Sequence, residues 1–216
     1  MKFARRSFVG AALVAAAAFA LPVAAQVAGK DYTPITPAQP TEDAAKIEVL
    51  EFFSYGCPHC AEFYPILGNW IGKQSGDVVV RKVPITFGRA AWANIAKLYY
   101  ALEVTGDLNR LEGDVFKAIH AERQNLFEEK ALTDWVVKKG VDAKKFSEAF
   151  NSFGVMSKVK RGDQLAQAYK IQGVPALAVE GKFLIGGKDF NDTLAIADSL
   201  ITKARSEKSG KAPAKK

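Results

Sequence analysis

What most constrains this chain is a junction. A run rich in β-branched and aromatic residues, Lys46 to Ser54 (KIEVLEFFS), gives way at Gly56 to Cys57-Pro58-His59-Cys60. Helical periodicity follows, with Phe63, Leu67, Trp70 and Ile71 on one face. Apart from its charges the run is apolar on both faces, which predicts a strand covered on both sides. Proline lacks an N–H and suits the first helical turn. Pro58 therefore predicts a helix from Pro58 to about Gly72, with Cys57 close to its N-cap. A second apolar run, Val78 to Thr86 (VVVRKVPIT), completes a βαβ unit whose crossover should be right-handed.

The pattern then changes. From about Arg89 to Gln172 the periodicity is helical almost throughout, and no stretch makes a convincing strand. Trp92, Ile95, Tyr99 and Leu102 mark one helix ending near Gly106, and Val115, Phe116 and Ile119 mark a second. Others are expected around Leu132–Lys139, Ala143–Phe153 and Met156–Ile171. Strand character returns at Ala176–Val179, turns at Glu180-Gly181 and resumes over Lys182–Ile185, as in a hairpin. A final helix is expected over Asp192–Ala204. Upstream, three prolines between Asp31 and Pro40 favour an extended lead-in with at most an edge strand. The fold class is therefore α/β, a βαβ unit and a ββα unit split by an all-helical domain. The expected division is a leader over 1–25, a first part over 26–88, a helical insertion over 89–172, a second part over 173–205 and a disordered basic tail over 206–216.

The leader is read from Lys2, Arg5 and Arg6 followed by an Ala/Leu/Val/Phe run that is too short to span a bilayer. Val23-Ala24-Ala25 ends it in a small-residue cleavage site before Gln26. Arg5-Arg6-Ser7-Phe8-Val9 resembles a twin-arginine signal, so either a general or a twin-arginine export route fits. The net charge of +7 invites a nucleic-acid reading, but its placement argues against one. Three positives lie in the leader, and Lys208, Lys211, Lys215 and Lys216 lie at the far end. Removing those seven from the 30 Lys and Arg leaves 23, against 23 Asp and Glu. The body of the chain is neutral overall, and no nucleic-acid partner is expected.

The chain has only two cysteines, and they are three positions apart in an exported protein. A structural metal site needs about four protein ligands, whereas the chain adds only His59 and His120, and His59 sits inside the motif. No metal is expected. An inert staple is a poor explanation too, because closing so short a loop removes little entropy from the unfolded chain. A labile disulfide used in thiol exchange remains. At a helix N-cap, the Cys57 thiolate would meet unpaired N–H groups and the positive end of the helix dipole. A protonated His59 would add a charge. Both effects favour the reduced enzyme, which makes the disulfide an oxidant. Glu51 stands in the middle of the first strand and Lys82 similarly in the second. A buried acid must be paired, protonated or useful, although a solvent-facing salt pair is an equal alternative here. Val174-Pro175 precedes a strand, where an ordinary trans turn is the common case.

LEFFSYGCPHCAEFYP (Leu50 to Pro65) and QGVPALAVEGKF (Gln172 to Phe183) resemble the DsbA family of thiol:disulfide oxidoreductases, across essentially the whole chain after the leader. The resemblance implies a thioredoxin-like fold with an inserted all-helical domain, located in the periplasm. It implies catalytic roles for Cys57, Pro58, His59 and Cys60, with Cys57 as the exposed attacking cysteine, Cys60 as its buried partner and His59 as a stabiliser of the thiolate. It also places Val174 and Pro175 in a substrate-binding cis-proline loop, and makes Glu51 and Lys82 a buried pair assisting proton transfer. Reduced, unfolded exported proteins are the implied substrates, and a DsbB-type inner-membrane quinone reductase is the implied partner. The chain is expected to be a monomer that needs no cofactor beyond the Cys57–Cys60 disulfide. The alternatives are a disulfide isomerase or reductase on the same fold, or a chaperone-like binding module.

Overall fold

In the computed structural model, residues 26–210 are described. The expected leader over 1–25 and the end of the tail, 211–216, lie outside the described residues. Five strands form one mixed sheet: β1 (Tyr32–Pro34), β2 (Ile47–Phe53), β3 (Val78–Pro84), β4 (Ala176–Val179) and β5 (Phe183–Ile185), in the order β1-β5-β4-β2-β3. Only β2 and β3 run parallel, joined by α1 (Pro58–Ile71), while β2–β4, β4–β5 and β1–β5 are antiparallel. Every residue of β2 is buried, as expected of a strand with covered faces.

The period of two along β2 divides the core. Ile47 and Val49 pack with Phe63, Leu67 and Trp70 of α1 and with Leu200 and Ile201 of α7 (Phe190–Gly210). Leu50 and Phe52 face the other way, onto Ala166 and Tyr169 near the end of α6 (Phe153–Ala168). A third cluster fills the helical layer between β3 and β4. That layer contains α2 (Ala90–Thr105), α3 (Leu108–Phe116), a π turn (Lys117–Ala121), α4 (Glu129–Lys138), α5 (Ala143–Phe150) and α6. Its core reaches the sheet through Phe53, Tyr55, Cys57 and Cys60, so the motif lies where the two halves of the core meet.

Several boundaries differ from the expected ones, each for a local reason. β3 ends at Pro84 because Asp163 captures Thr86, accepting from its backbone N–H at 2.7 Å and its hydroxyl at 2.6 Å. The helix expected to run to Phe153 stops at Phe150, since Ser152 caps α6 by accepting from the Val155 N–H at 3.1 Å. The largest departure is at the far end, where the composition predicts a disordered tail from residue 206 but residues 206–210 are helical. These residues continue α7. Glu207 pairs with Lys182 at 2.7 Å and Lys203 at 3.1 Å, and Lys208 reaches Glu180 at 2.8 Å. These contacts tie the last turns of α7 to the β4–β5 turn.

Candidate active site

The loop between β2 and α1 holds the motif. The Cys57 N–H donates to the Ser54 carbonyl at 3.1 Å, closing a turn through Tyr55 and Gly56. Only glycine fits at 56, because a Cβ there would lie 2.8 Å from Trp92 Nε1 and 3.1 Å from a Phe127 ring carbon. From the helical layer, His120 Nε2 sits 2.7 Å from the Tyr55 carbonyl, so this histidine braces the loop two residues before Cys57. Among the described residues, no group of three or more His, Cys, Asp or Glu side chains gathers as metal ligands.

Cys57 is the N-cap of α1, with extended backbone (φ −97°, ψ 119°), and Pro58 occupies the first turn. Both cysteines are free thiols. Cys57, expected to be exposed, is only 7% exposed, yet the two sulfurs are held in opposite ways. A hydrogen bond from the Cys60 thiol does most to bring the Cys57 pKa down from 9.0 to about 6. Burial opposes it, while the backbone N–H groups of Cys60 and His59 and the His59 charge assist. Cys60 is fully buried, and desolvation drives its pKa far upward, with the negative charge of Glu51 adding to the rise. His59 points outward, 3.1 Å from Glu62, and both side chains are well exposed.

Across from the motif, the Val174–Pro175 peptide is cis, and the Val174 carbonyl accepts from Cys57 Sγ at 3.3 Å. Beside them lies a hollow of about 300 Å³ walled by His59, Phe63, Val174, Pro175, Leu177 and Phe190. The fold thus brings together Cys57, Pro58, His59, Cys60, Val174 and Pro175, although more than a hundred residues separate the two segments.

Beneath the motif the arrangement departs from expectation. Glu51 and Lys82 are partners in the β2–β3 register, so their side chains leave the same face of the sheet. Glu51 is 3 % exposed, which excludes the solvent-facing alternative. Burial raises its pKa from 4.5 to about 7. Lys82 works against that rise and Glu112 adds to it. Yet the Lys82 ammonium bonds Glu112, at 2.7 Å, instead of closing a salt bridge with Glu51. It also lies 4.7 Å from the centre of the Tyr64 ring. Glu112 escapes a sequence reading centred on the strands because it sits on α3. Its signal is an acid on the buried stripe formed by Leu111, Val115 and Phe116.

Comparison with known proteins gives a consistent result. The DSBA-like thioredoxin domain matches residues 48–196. The thiol:disulfide interchange protein DsbA of Bordetella parapertussis is 41% identical over 204 residues, covering 93% of this chain and 96% of its own. A crystal structure of Pseudomonas aeruginosa DsbA superposes with a TM-score of 0.81 at 35% identity, covering 85% of this chain and 97% of the other. The oxidoreductase DsbA of Xylella fastidiosa superposes with a TM-score of 0.79 at 34% identity, covering 84% of this chain and 98% of the other.

Proposed function

The chain belongs to the DsbA-like thioredoxin family and is a thiol:disulfide oxidoreductase, and from that premise we propose that it acts as a periplasmic oxidase, passing its Cys57–Cys60 disulfide to newly exported proteins. The observation that carries this direction is the opposite treatment of the two thiols, Cys57 pulled down to about 6 and Cys60 pushed up. An enzyme that holds one sulfur comfortably as a thiolate favours its own reduced form, and its disulfide is correspondingly oxidising.

The cycle begins when a substrate thiolate attacks Cys57 Sγ. The Cys57–Cys60 bond breaks, and Cys60 leaves as a thiolate and takes up a proton, with Glu51 as its donor. A second substrate thiolate attacks the substrate sulfur of the mixed disulfide, and Cys57 departs as the stabilised thiolate. The substrate leaves with a disulfide, and the enzyme keeps both electrons as a dithiol. Pro58 fixes the first turn of α1, and His59 supports the thiolate from outside. Val174 and Pro175 offer backbone and an apolar wall to the substrate chain. A DsbB-type quinone reductase in the inner membrane accepts the two electrons and restores the disulfide. The site residues supply thiol, proton and backbone contacts without a further cofactor. We read the chain as a sheet-bearing part over 26–88 and from 173 to the end of α7, carrying the chemistry, around a helical insertion over 89–172 that roofs it.

Equilibrating the full chain with reduced and oxidised glutathione tests the direction. A midpoint well above the thioredoxin value, on the order of −270 mV, is expected. A midpoint near that value would leave a reductase and remove the oxidase.

A further inference from the structure

Lys82 stands between two carboxylates. Its register partner Glu51 lies buried under α1, on the same face of the sheet as Val49, whereas its ion-pair partner Glu112 comes from the helical layer. The pair is set in a wall between two clefts of about 620 and 380 Å³, each lined by Lys82, Asn109 and Glu112. Both side chains of the Lys82–Glu112 pair keep some exposure at these clefts, whereas Glu51 is buried and lines neither.

We propose that Glu112 is a positioning residue for the exchange reaction. By holding the Lys82 ammonium at the cleft wall, it sets how firmly Glu51 keeps its proton beneath Cys60 and links that proton to water. The inference rests on the role given to Glu51 above. In the closing step, the Cys60 sulfur attacks Cys57 in a mixed disulfide. Its thiol proton passes to the Glu51 carboxylate, the Cys57–Cys60 bond forms, and the partner sulfur leaves as a thiolate.

The groups that face Glu51 fix the sign. They are Cys60 and Tyr64 from α1, Lys82 from β3, Glu112 from α3, Tyr99 from α2 and Tyr55 from the loop, while β4 offers only Leu177. Lys82 favours the ionised carboxylate and Glu112 disfavours it. Removing the Glu112 charge leaves Lys82 unneutralised, so Glu51 ionises at lower pH. Removing the Lys82 charge does the opposite.

The test follows full-length reduced protein after rapid mixing with oxidised glutathione. The phase independent of glutathione concentration is closure, and it is blind to Cys57's own titration because Cys57 is already bonded. In Glu112→Gln, which keeps an acceptor for Lys82, the inflection of the closure rate against pH should move down by roughly half a unit or more. In Lys82→Met it should move up. The same downward shift should appear in the ¹³C carboxyl resonance of Glu51, measured without turnover. A Glu112→Gln profile that superimposes on the parent, or moves up, overturns the proposal. Glu51→Gln separates the two claims. If it leaves the inflection in place, the role of Glu51 itself is wrong. If it removes the inflection while Glu112→Gln shifts nothing, only the role of Glu112 falls.

Discussion

Cys57 and Cys60 are one helical turn apart, yet the rim and the floor of the site treat sulfur in opposite ways. At the rim, Cys57 meets the free N–H groups that begin α1, the Val174 carbonyl and an outward-facing histidine. At the floor, Cys60 is sealed in the core among aromatic rings, above a carboxylate that is itself desolvated. A displacement of three residues along a helix thus carries a thiol from the positive end of a dipole into an apolar interior. Leaving-group ability follows thiolate stability, so the difference alone makes exchange directional. A partner sulfur is displaced onto or off Cys57, and Cys60 opens and closes the cycle.

Removing a sulfur has the largest expected effect. Cys57→Ser should reduce disulfide transfer to a reduced, unfolded substrate to the uncatalysed level. Cys60→Ala should instead accumulate mixed disulfides on Cys57, visible as covalent adducts by mass spectrometry. It should also raise the Cys57 pKa, because the Cys60 thiol is the largest of the influences lowering it. Adducts that form equally well on Cys60 in Cys57→Ser would erase the rim and floor distinction.

The rim and the floor are not equally legible in the amino-acid sequence. The rim was readable because its devices are local: Pro58 dictates where α1 begins, and Cys57 becomes the N-cap by adjacency. Val174 was less so. Its carbonyl reaches Cys57 only after the chain has passed through seven helical segments, and no periodicity encodes that return. At the floor, the strand pattern placed Glu51 and Lys82 on neighbouring strands, and the register confirms them as partners. The actual hydrogen bond went elsewhere, since Glu112 approaches from α3 and helix-to-sheet docking is decided by packing beyond the strands. The π turn at Lys117–Ala121, which carries His120 toward Tyr55, was equally hidden, because Val115, Phe116 and Ile119 read as an unbroken helix. The end of α7 is hidden for a different reason: a lysine-rich composition suggests solvent, but Lys208 has Glu180 to meet.

A smaller effect is expected in the pH dependence of stability. The Cys57 pKa is lowered from 9.0 to about 6, so the unfolded reduced chain binds more protons than the folded one between those values. Reduced-state stability therefore rises with pH across that window and is lost as pH falls through about 6. The Glu51 carboxyl, raised from 4.5 to about 7, acts in the opposite sense, its contribution being lost as pH rises through about 7. It is present in both redox forms, so it weighs little in their difference. Urea midpoints of reduced and oxidised protein should diverge in favour of the reduced form from pH 5 to pH 8. By pH 7 the change in the stability difference should be on the order of 1 kcal/mol. A difference that stays flat across that range would mean Cys57 carries no stabilised thiolate.

The smallest effect is expected at His59. Its side chain is 70% exposed and engaged with Glu62, and its charge is the last of the influences lowering the Cys57 pKa, behind the Cys60 thiol and two backbone N–H groups. His59→Ala keeps those N–H groups, because they belong to the turn and not to the imidazole. The Cys57 thiolate absorbance should then titrate higher by less than about one unit. The glutathione equilibrium should move toward the reducing side by less than roughly 30 mV, the equivalent of that unit in a two-electron couple. Glu62→Gln should move both quantities the other way by less still, since it removes only an exposed negative charge. A shift of several units in His59→Ala would transfer control of the rim from the start of α1 to a single exposed side chain.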